Sequence, residues 1–302
     1  MRTDSFDWRL PTFAFAAALL AMPALTLAQD APKQVEPKQE APAQQAPAAK
    51  EEAPKPPARP QLDVIFVPTP QVAVDRMLDL ARVGKNDFVI DLGSGDGRIA
   101  ITAGKRGARA MGIDLDPQRI ADARKNLAAS GVSDRVSFVQ QNLFETDLSK
   151  ATVLTMYLLP HLNLKLRPQI LDLKPGTRVV SHDFTMGEWQ PDVFEDVNGR
   201  DLMFWIVPAK VGGNWKIEAG RQRFDISLKQ DFQEIKGTVQ IGNRRVPLTR
   251  TRLEGDQIEF TALLGRRPLH FRGRVEGDRM TGRILGGERA DRRGRRWSAE
   301  RQ

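Results

Sequence analysis

Between residues 88 and 184 the chain alternates short apolar runs with stretches of helical spacing, and this alternation leaves few folds open to it. FVIDL at 88–92 precedes a helix predicted from Arg98, and RAMGIDL at 109–115 precedes one from Pro117 to Ala129. VSFVQ at 136–140 and TVLTMYLL at 152–159 follow, then a helix near Leu162 to Leu173 and the run TRVVSHDF at 177–184. Apolar runs separated by helices of about 10–15 residues read as βαβ units, so an α/β fold with a parallel, doubly wound sheet is expected. A leading amphipathic helix precedes them in VPTPQVAVDRMLDLARVG. Thr69 stands there as the predicted N-cap, Pro70 at the first helical position, and Val74, Met77, Leu78 and Ala81 at helical spacing.

The sharpest motif is DLGSGDGR, Asp91 to Arg98, at the end of the first strand. Gly93, Gly95 and Gly97 permit a tight turn and let the backbone press against a ligand in the crevice at the carboxyl ends of the strands. A dinucleotide fingerprint would place its third glycine where Arg98 stands, and a P-loop would need a following Gly-Lys-Ser/Thr that is absent. Asp91 and Asp96 would repel a phosphate, yet they suit a ligand carrying hydroxyls, an ammonium or a sulfonium. Asp114, in GIDLDP 23 residues after Asp91, is placed to accept the hydroxyls of a ribose.

DLGSGDGR, GIDLDP at that distance and a third strand running into QQNLF resemble the class I S-adenosylmethionine-dependent methyltransferases, over about residues 63–211. The resemblance implies a Rossmann-like sheet and S-adenosyl-L-methionine as cofactor. It implies cofactor contacts from Asp91, Gly93, Ser94, Gly95, Asp96 and Gly97, with Asp91, Gly93 and Gly95 bordering the methionine moiety, Asp114 at the ribose, and Asn142 with Leu143 beside the adenine. Asn142 stands where the family often has Asp; its amide oxygen can still accept from an adenine amino group. The Asp/Asn-Pro-Pro-aromatic motif of many amino-methylating enzymes is missing. Tyr157-Leu158-Leu159-Pro160, the VPTP leader and LKPGTRVVSHDF resemble instead the small lysine-methyltransferase branch, which implies a protein lysine amine as acceptor. Tyr157, the one tyrosine of the chain, is the candidate to orient the amine, and His182 or Asp183 the candidate to take its proton. Packing roles compete for both Tyr157 and His182. After Phe184 no clear helix follows, only GEWQPDVFEDV and DLMFWIVPAK, which read as a closing antiparallel pair; one face of the sheet then needs another cover.

From Trp215 the pattern changes to short alternating runs joined by IGN at 241–243 and EGD at 254–256 and 276–278, which are hairpin signals. A C-terminal antiparallel β-meander of six or seven strands, a barrel or half-barrel over 214–302, is expected. Its outward positions hold Arg244, Arg245, Arg250, Arg252, Arg272, Arg274, Arg279 and Arg283, and RADRRGRRW at 289–297 reads as a basic tail. From Asn214 onward 21 Lys/Arg stand against 12 Asp/Glu, a net of +9, while the whole chain carries +8. The basic character therefore belongs to the last third. It is either a solvated face or a surface for an anionic partner, with lipid or cell-envelope polymer favoured over nucleic acid because aromatic residues are sparse among the arginines.

The N-terminus reads as an address. Arg2 and Arg9 precede the uncharged run PTFAFAAALLAMPALTLA, residues 11–28, broken by Pro23, which fits a signal peptide over 1–28 and a periplasmic or otherwise exported protein, tethered to the membrane if the segment stays uncleaved. Residues 29–62, rich in Pro, Ala, Gln, Lys and Glu, read as a disordered linker. With no cysteine, disulfides, thiolate metal sites and a catalytic cysteine are excluded, and the three histidines show no metal spacing. Two functional classes remain: an exported methyltransferase, or a non-catalytic envelope-binding module that keeps the fold and binds an anionic partner through its β domain. The intact Asp91, Gly95 and Asp114 favour the first.

Overall fold

The computed structural model describes residues 66–264, 267–285 and 294–302; the segments read as signal peptide and linker lie outside the described residues. The first described helix is α1 (Gln71–Leu80), which buries Ala73, Val74, Met77 and Leu78. Thr69 is not its N-cap: Pro70 occupies that position without a side-chain hydrogen bond, and the Thr69 hydroxyl turns inward to His182 Nδ1 at 3.0 Å. A distant buried partner has displaced the local cap.

The alternation read from the sequence folds as β1 (Phe88–Leu92), α2 (Arg98–Lys105), β2 (Arg109–Asp114), α3 (Pro117–Ala128), β3 (Val136–Gln140), β4 (Val153–Met156), α4 (Pro160–Leu171) and β5 (Arg178–His182). These strands are parallel, and β6 (Val193–Asp196) and β7 (Asp201–Ile206) close the sheet with β7 antiparallel between β5 and β6. The order is β3-β2-β1-β4-β5-β7-β6, so the direction of winding reverses between β1 and β4 and opens a crevice at their carboxyl ends. Helices α1, α2 and α3 cover one face, and α4 packs on the other.

No helix joins β5 to β6, as expected. The bare part of the α4 face is covered by the connecting segment itself: Met186 and Trp189 are fully buried, and Trp189 packs at a tilt against Trp205 of β7 at 5.9 Å and stacks on Phe232 of the following sheet at 6.0 Å. Gln233 accepts from the Trp189 indole N–H at 2.9 Å, which satisfies the one polar atom that this burial would strand.

The second sheet has nine antiparallel strands rather than six or seven: β8 (Gly213–Ala219), β9 (Gln222–Asp231), β10 (Glu234–Ile241), β11 (Arg244–Pro247), β12 (Thr249–Glu254), β13 (Gln257–Leu264), β14 (Arg267–Glu276), β15 (Arg279–Leu285) and β16 (Arg295–Arg301). RVPLTRTR is split by Leu248, whose side chain turns into the core and whose N–H donates to Gly237 O. With Thr251 Oγ1 donating to Ile235 O at 2.7 Å, this rolls β12 over β10 and nearly closes the sheet on itself. The end of the supposed basic tail is also strand. Trp297 and Ala299 alternate inward on β16, which pairs with both β15 and β8. Trp297 packs edge-on against Phe271 and Phe260, themselves stacked at 4.8 Å. Opposite it on β15 and β14, Gly282 and Gly273 leave the room it needs: a Cβ on either would lie under 3 Å from the indole. The eight outward arginines named above are all exposed, as expected.

Candidate active site

A cavity of about 530 Å³ opens at the carboxyl ends of β1, β2 and β4, under the leader residues 66–69. The loop after β1 forms its floor. The Gly93 and Ser94 N–H groups both donate to Ile113 O on β2, and the chain turns at Gly95 with φ +52. Gly95 must be small for a second reason: a Cβ there would stand 2.2 Å from the Phe66 ring, which lies against the loop.

Asp91, at the end of β1, is 2 % exposed. Its Oδ1 accepts from Thr155 Oγ1 at 2.7 Å, whereas Oδ2 has no partner among the described residues. Burial, opposed by the Thr155 bond and reinforced by the charges of Asp114 and Asp96, raises its pKa from 3.8 to about 7. A carboxylate oxygen without a partner at a cavity wall is suited to a cationic ligand group. The Ser94 hydroxyl is likewise buried without a partner at the same wall.

Asp114 lines the cavity from the end of β2. Its Oδ2 accepts from Gly95 N and its Oδ1 from Asp116 N, so it ties the glycine loop to the second strand while keeping further lone pairs toward the cavity. Asp96 differs from its expected role as an acid open to a cationic ligand. Arg98 holds it through three side-chain hydrogen bonds and one from its backbone N–H and lowers its pKa against the opposing effect of burial, and Arg98 Nη1 also donates to Thr69 O at 2.9 Å. The pair fastens the leader to the loop because the two residues are close in sequence and share one desolvated corner. Asn142 and Leu143 line the cavity after β3, but Asn142 works as a cap: its amide oxygen accepts from Phe144 N and its amine donates to Glu145. Gly95 and Gly97 shape the loop without lining the cavity; Gly97, at φ +81, begins α2.

The structure separates the two expected catalytic residues. Tyr157 lines the cavity beside Leu158, Leu159 and Phe184, and its hydroxyl donates to Asp183 Oδ2 at 3.1 Å. Burial first, then this bond, holds its phenol pKa above the ordinary value. His182 is fully buried and does not line the cavity; its ring lies behind Tyr157, centroid to centroid 3.9 Å. Its side chain therefore does not face the cavity directly. Asp183 adopts φ +60 and is fixed there by exchanging hydrogen bonds with the Asp201 backbone and by Arg200 at 3.2 Å. Arg200 lies in a loop that no sequence motif marks. Phe66, 39 % exposed and stacked under the Arg119 guanidinium at 4.9 Å, is marked in the sequence only by its position next to the VPTP leader.

These residues fit S-adenosylmethionine by their own chemistry: an unpartnered buried carboxylate oxygen for an ammonium, a tight loop in which every second residue is a glycine, and a second strand-end carboxylate for hydroxyls. An ANTKMT methyltransferase domain model matches residues 91–193. A protein-lysine N-methyltransferase of Saccharolobus islandicus is 49 % identical over 131 residues, covering 42 % of this chain and 81 % of that protein. An adenine nucleotide translocase lysine N-methyltransferase of Mus musculus is 34 % identical over 43 % of this chain, which spans 58 % of that relative's length. A solved RNA methyltransferase from Salinibacter ruber in complex with S-adenosyl-L-homocysteine is 53 % identical, with 48 % of this chain and 96 % of that one covered and a TM-score of 0.47. At that identity and coverage of the Saccharolobus protein, the chain belongs to its family, and it is an S-adenosylmethionine-dependent methyltransferase.

Proposed function

We propose that the chain methylates the side-chain amine of lysine in a protein acceptor. The observation that carries this reading is the acceptor side of the cavity, where Tyr157 and Phe184, stacked at 5.8 Å, and the leucines beside them surround a single hydroxyl. Such a mouth takes an aliphatic stem and desolvates its amine, which favours the neutral, nucleophilic form. S-adenosylmethionine, when bound, supplies the electrophilic methyl carbon. Asp91 and Ser94 would hold the amino-acid end of that molecule and Asp114 its ribose, with Leu143 against the adenine. Because the Tyr157 hydroxyl donates to Asp183, its lone pairs remain to accept an amine N–H and aim the nitrogen lone pair along the transfer line. The lysine relatives named above add support to the acceptor class. To test the reading, the full chain is incubated with methyl-labelled S-adenosylmethionine and a protein extract, and the proteins are hydrolysed. Label is expected in methylated lysine; label confined to other residues or to RNA overturns it.

Export is part of the same proposal, from the charge and apolarity of residues 1–28. Mass analysis of the protein from its host is expected to find a mature start near Gln29, and an intact, soluble cytosolic chain carrying Met1 would oppose it.

The second sheet is proposed to meet an anionic envelope surface. Arg272, Arg283 and Arg296 are direct cross-strand neighbours on β14, β15 and β16, an exposed row of like charge that an anionic partner would complement. Glu259 and Asp256 compensate Arg272 and Arg274 only in part, from exposed pairs. Binding to vesicles of anionic phospholipid is expected to fall steeply between about 50 and 200 mM salt and to vanish when Arg272, Arg274 and Arg283 are changed to Glu. Unchanged binding by that variant would leave the arginines a solvated face.

A further inference from the structure

Behind the cavity wall lies a buried polar chain that joins the leader to the acceptor end. Thr69 is 4 % exposed and His182 fully buried, and the Thr69 hydroxyl is 3.0 Å from His182 Nδ1 across 113 residues of sequence. His182 Nε2 has no hydrogen-bond partner among the described residues, but it faces Asp183 Oδ2 at 3.4 Å, and that oxygen also takes the Tyr157 O–H and an Arg200 N–H. Burial lowers the histidine's pKa; Asp183 opposes this and Arg200 adds to it, so the ring is neutral and carries one proton. Two tautomers are then open. With the proton on Nδ1, the ring would donate to Thr69 and point the Nε2 lone pair at a carboxylate oxygen. With the proton on Nε2, Nδ1 accepts from the Thr69 hydroxyl and the N–H meets that oxygen. The second arrangement makes both contacts attractive, and burial enlarges the difference.

Resting on the lysine-methyltransferase reading above, we infer that Thr69 and His182 are positioning residues for the transfer: Asp183 selects the Nε2–H tautomer, and the Thr69 hydroxyl, donating to Nδ1, holds the ring in place, which steadies Asp183 and through it the direction of the Tyr157 hydroxyl. The imidazole, packed at 3.9 Å behind the phenol ring, also fixes the plane of that ring. The same threonine offers its carbonyl to Arg98, itself paired with Asp96 of the glycine loop. The leader thus sets the acceptor hydroxyl and the cofactor loop from one residue.

The test uses the full chain with S-adenosylhomocysteine bound. Nitrogen NMR of the imidazoles, assigned by removing His161 and His270, is expected to show His182 as the neutral Nε2–H tautomer; finding Nδ1–H in the unaltered protein overturns the inference with no variant needed. Thr69→Val leaves Asp183 to hold the tautomer but strands Nδ1, so it should broaden the ring resonances of His182 and of Tyr157, the one tyrosine of the chain, and lower kcat on the methyl-accepting protein about tenfold with KM for the cofactor unchanged. Thr69→Ser, which keeps the hydroxyl, should restore the resonances and kcat. A Thr69→Val protein with unchanged ring resonances and kcat overturns the assignment, and so does Thr69→Ser failing as Thr69→Val does, since the methyl group would then be what matters. Should the chain transfer no methyl to lysine, the tautomer and the Tyr157 resonances still decide this point separately.

Discussion

Gly95→Val is expected to weaken S-adenosylhomocysteine binding by at least about a hundredfold in calorimetry, with the far-ultraviolet circular dichroism of the full chain retained. Three physical costs meet at this residue. Its φ of +52 is a left-handed conformation that a β-branched side chain adopts only under strain. A Cβ would also stand 2.2 Å from Phe66 Cε2, so the ring that lies against the loop would have to leave. Finally, the Gly95 N–H donates to Asp114 Oδ2, and a loop that relaxes its strain gives up this bond and releases the carboxylate expected at the ribose. Gly95→Ala should show a smaller loss, about tenfold, because the steric demand is less and the backbone cost of about 1–2 kcal/mol remains. Valine binding within threefold of glycine would show that the loop does not contact the ligand.

The second large effect concerns Asp91. Its carboxyl is buried with one unpartnered oxygen and titrates at about 7, so below that pH the ligand-free site is protonated and has no charge to offer a cation. S-adenosylmethionine affinity is therefore expected to fall by up to about tenfold per pH unit as pH drops below about 7, while Asp91→Asn should bind weakly and without this pH dependence. Stability should move the other way. Since the folded pKa lies above the ordinary 3.8, the contribution of Asp91 to stability is fully present below about pH 4 and is lost as pH rises through about 7. The loss is at most about 4 kcal/mol, an upper limit set by a shift of about three units. At pH 8 the ligand-free Asp91→Asn protein should consequently melt at a higher temperature than the unaltered protein although it binds worse. The charge is kept for the ligand at the expense of the fold. A variant that melts lower at pH 8 and retains the pH dependence of binding would place the titrating group elsewhere.

Much of this molecule is legible in its residues because the signals involved are local. FVIDL, RAMGID and VSFVQ are strands where their apolar runs stand, and α2 begins at Arg98 because the glycines before it cannot continue a strand. The same locality exposes Asp91, the loop glycines and Asp114, since a strand end followed by a tight turn puts them in one crevice whatever the rest of the chain does. The absence of a helix after β5 is equally visible, but not what covers the gap: Trp189 finds Trp205 on a neighbouring strand and Phe232 and Gln233 in the second sheet.

Choices among partners belong to the tertiary structure. Thr69 has the spacing of a helix cap, yet its hydroxyl pairs with a buried histidine 113 residues away and not with a helix backbone N–H. Asp96 has the look of a ligand acid, and Arg98 neutralises it only because the leader folds back to share the guanidinium. RADRRGRRW reads as a tail, but Gly273 and Gly282 open a slot for Trp297 at its end, and β16 completes the sheet. By itself the sequence determined the fold class, the crevice and the acids within it, because periodicity and glycine conformation act over a few residues. Only the tertiary structure decided which acid stays without a partner, which histidine is sealed behind the tyrosine and which strand closes the second sheet, because a buried polar atom or a large ring takes whatever partner the packed chain brings within reach.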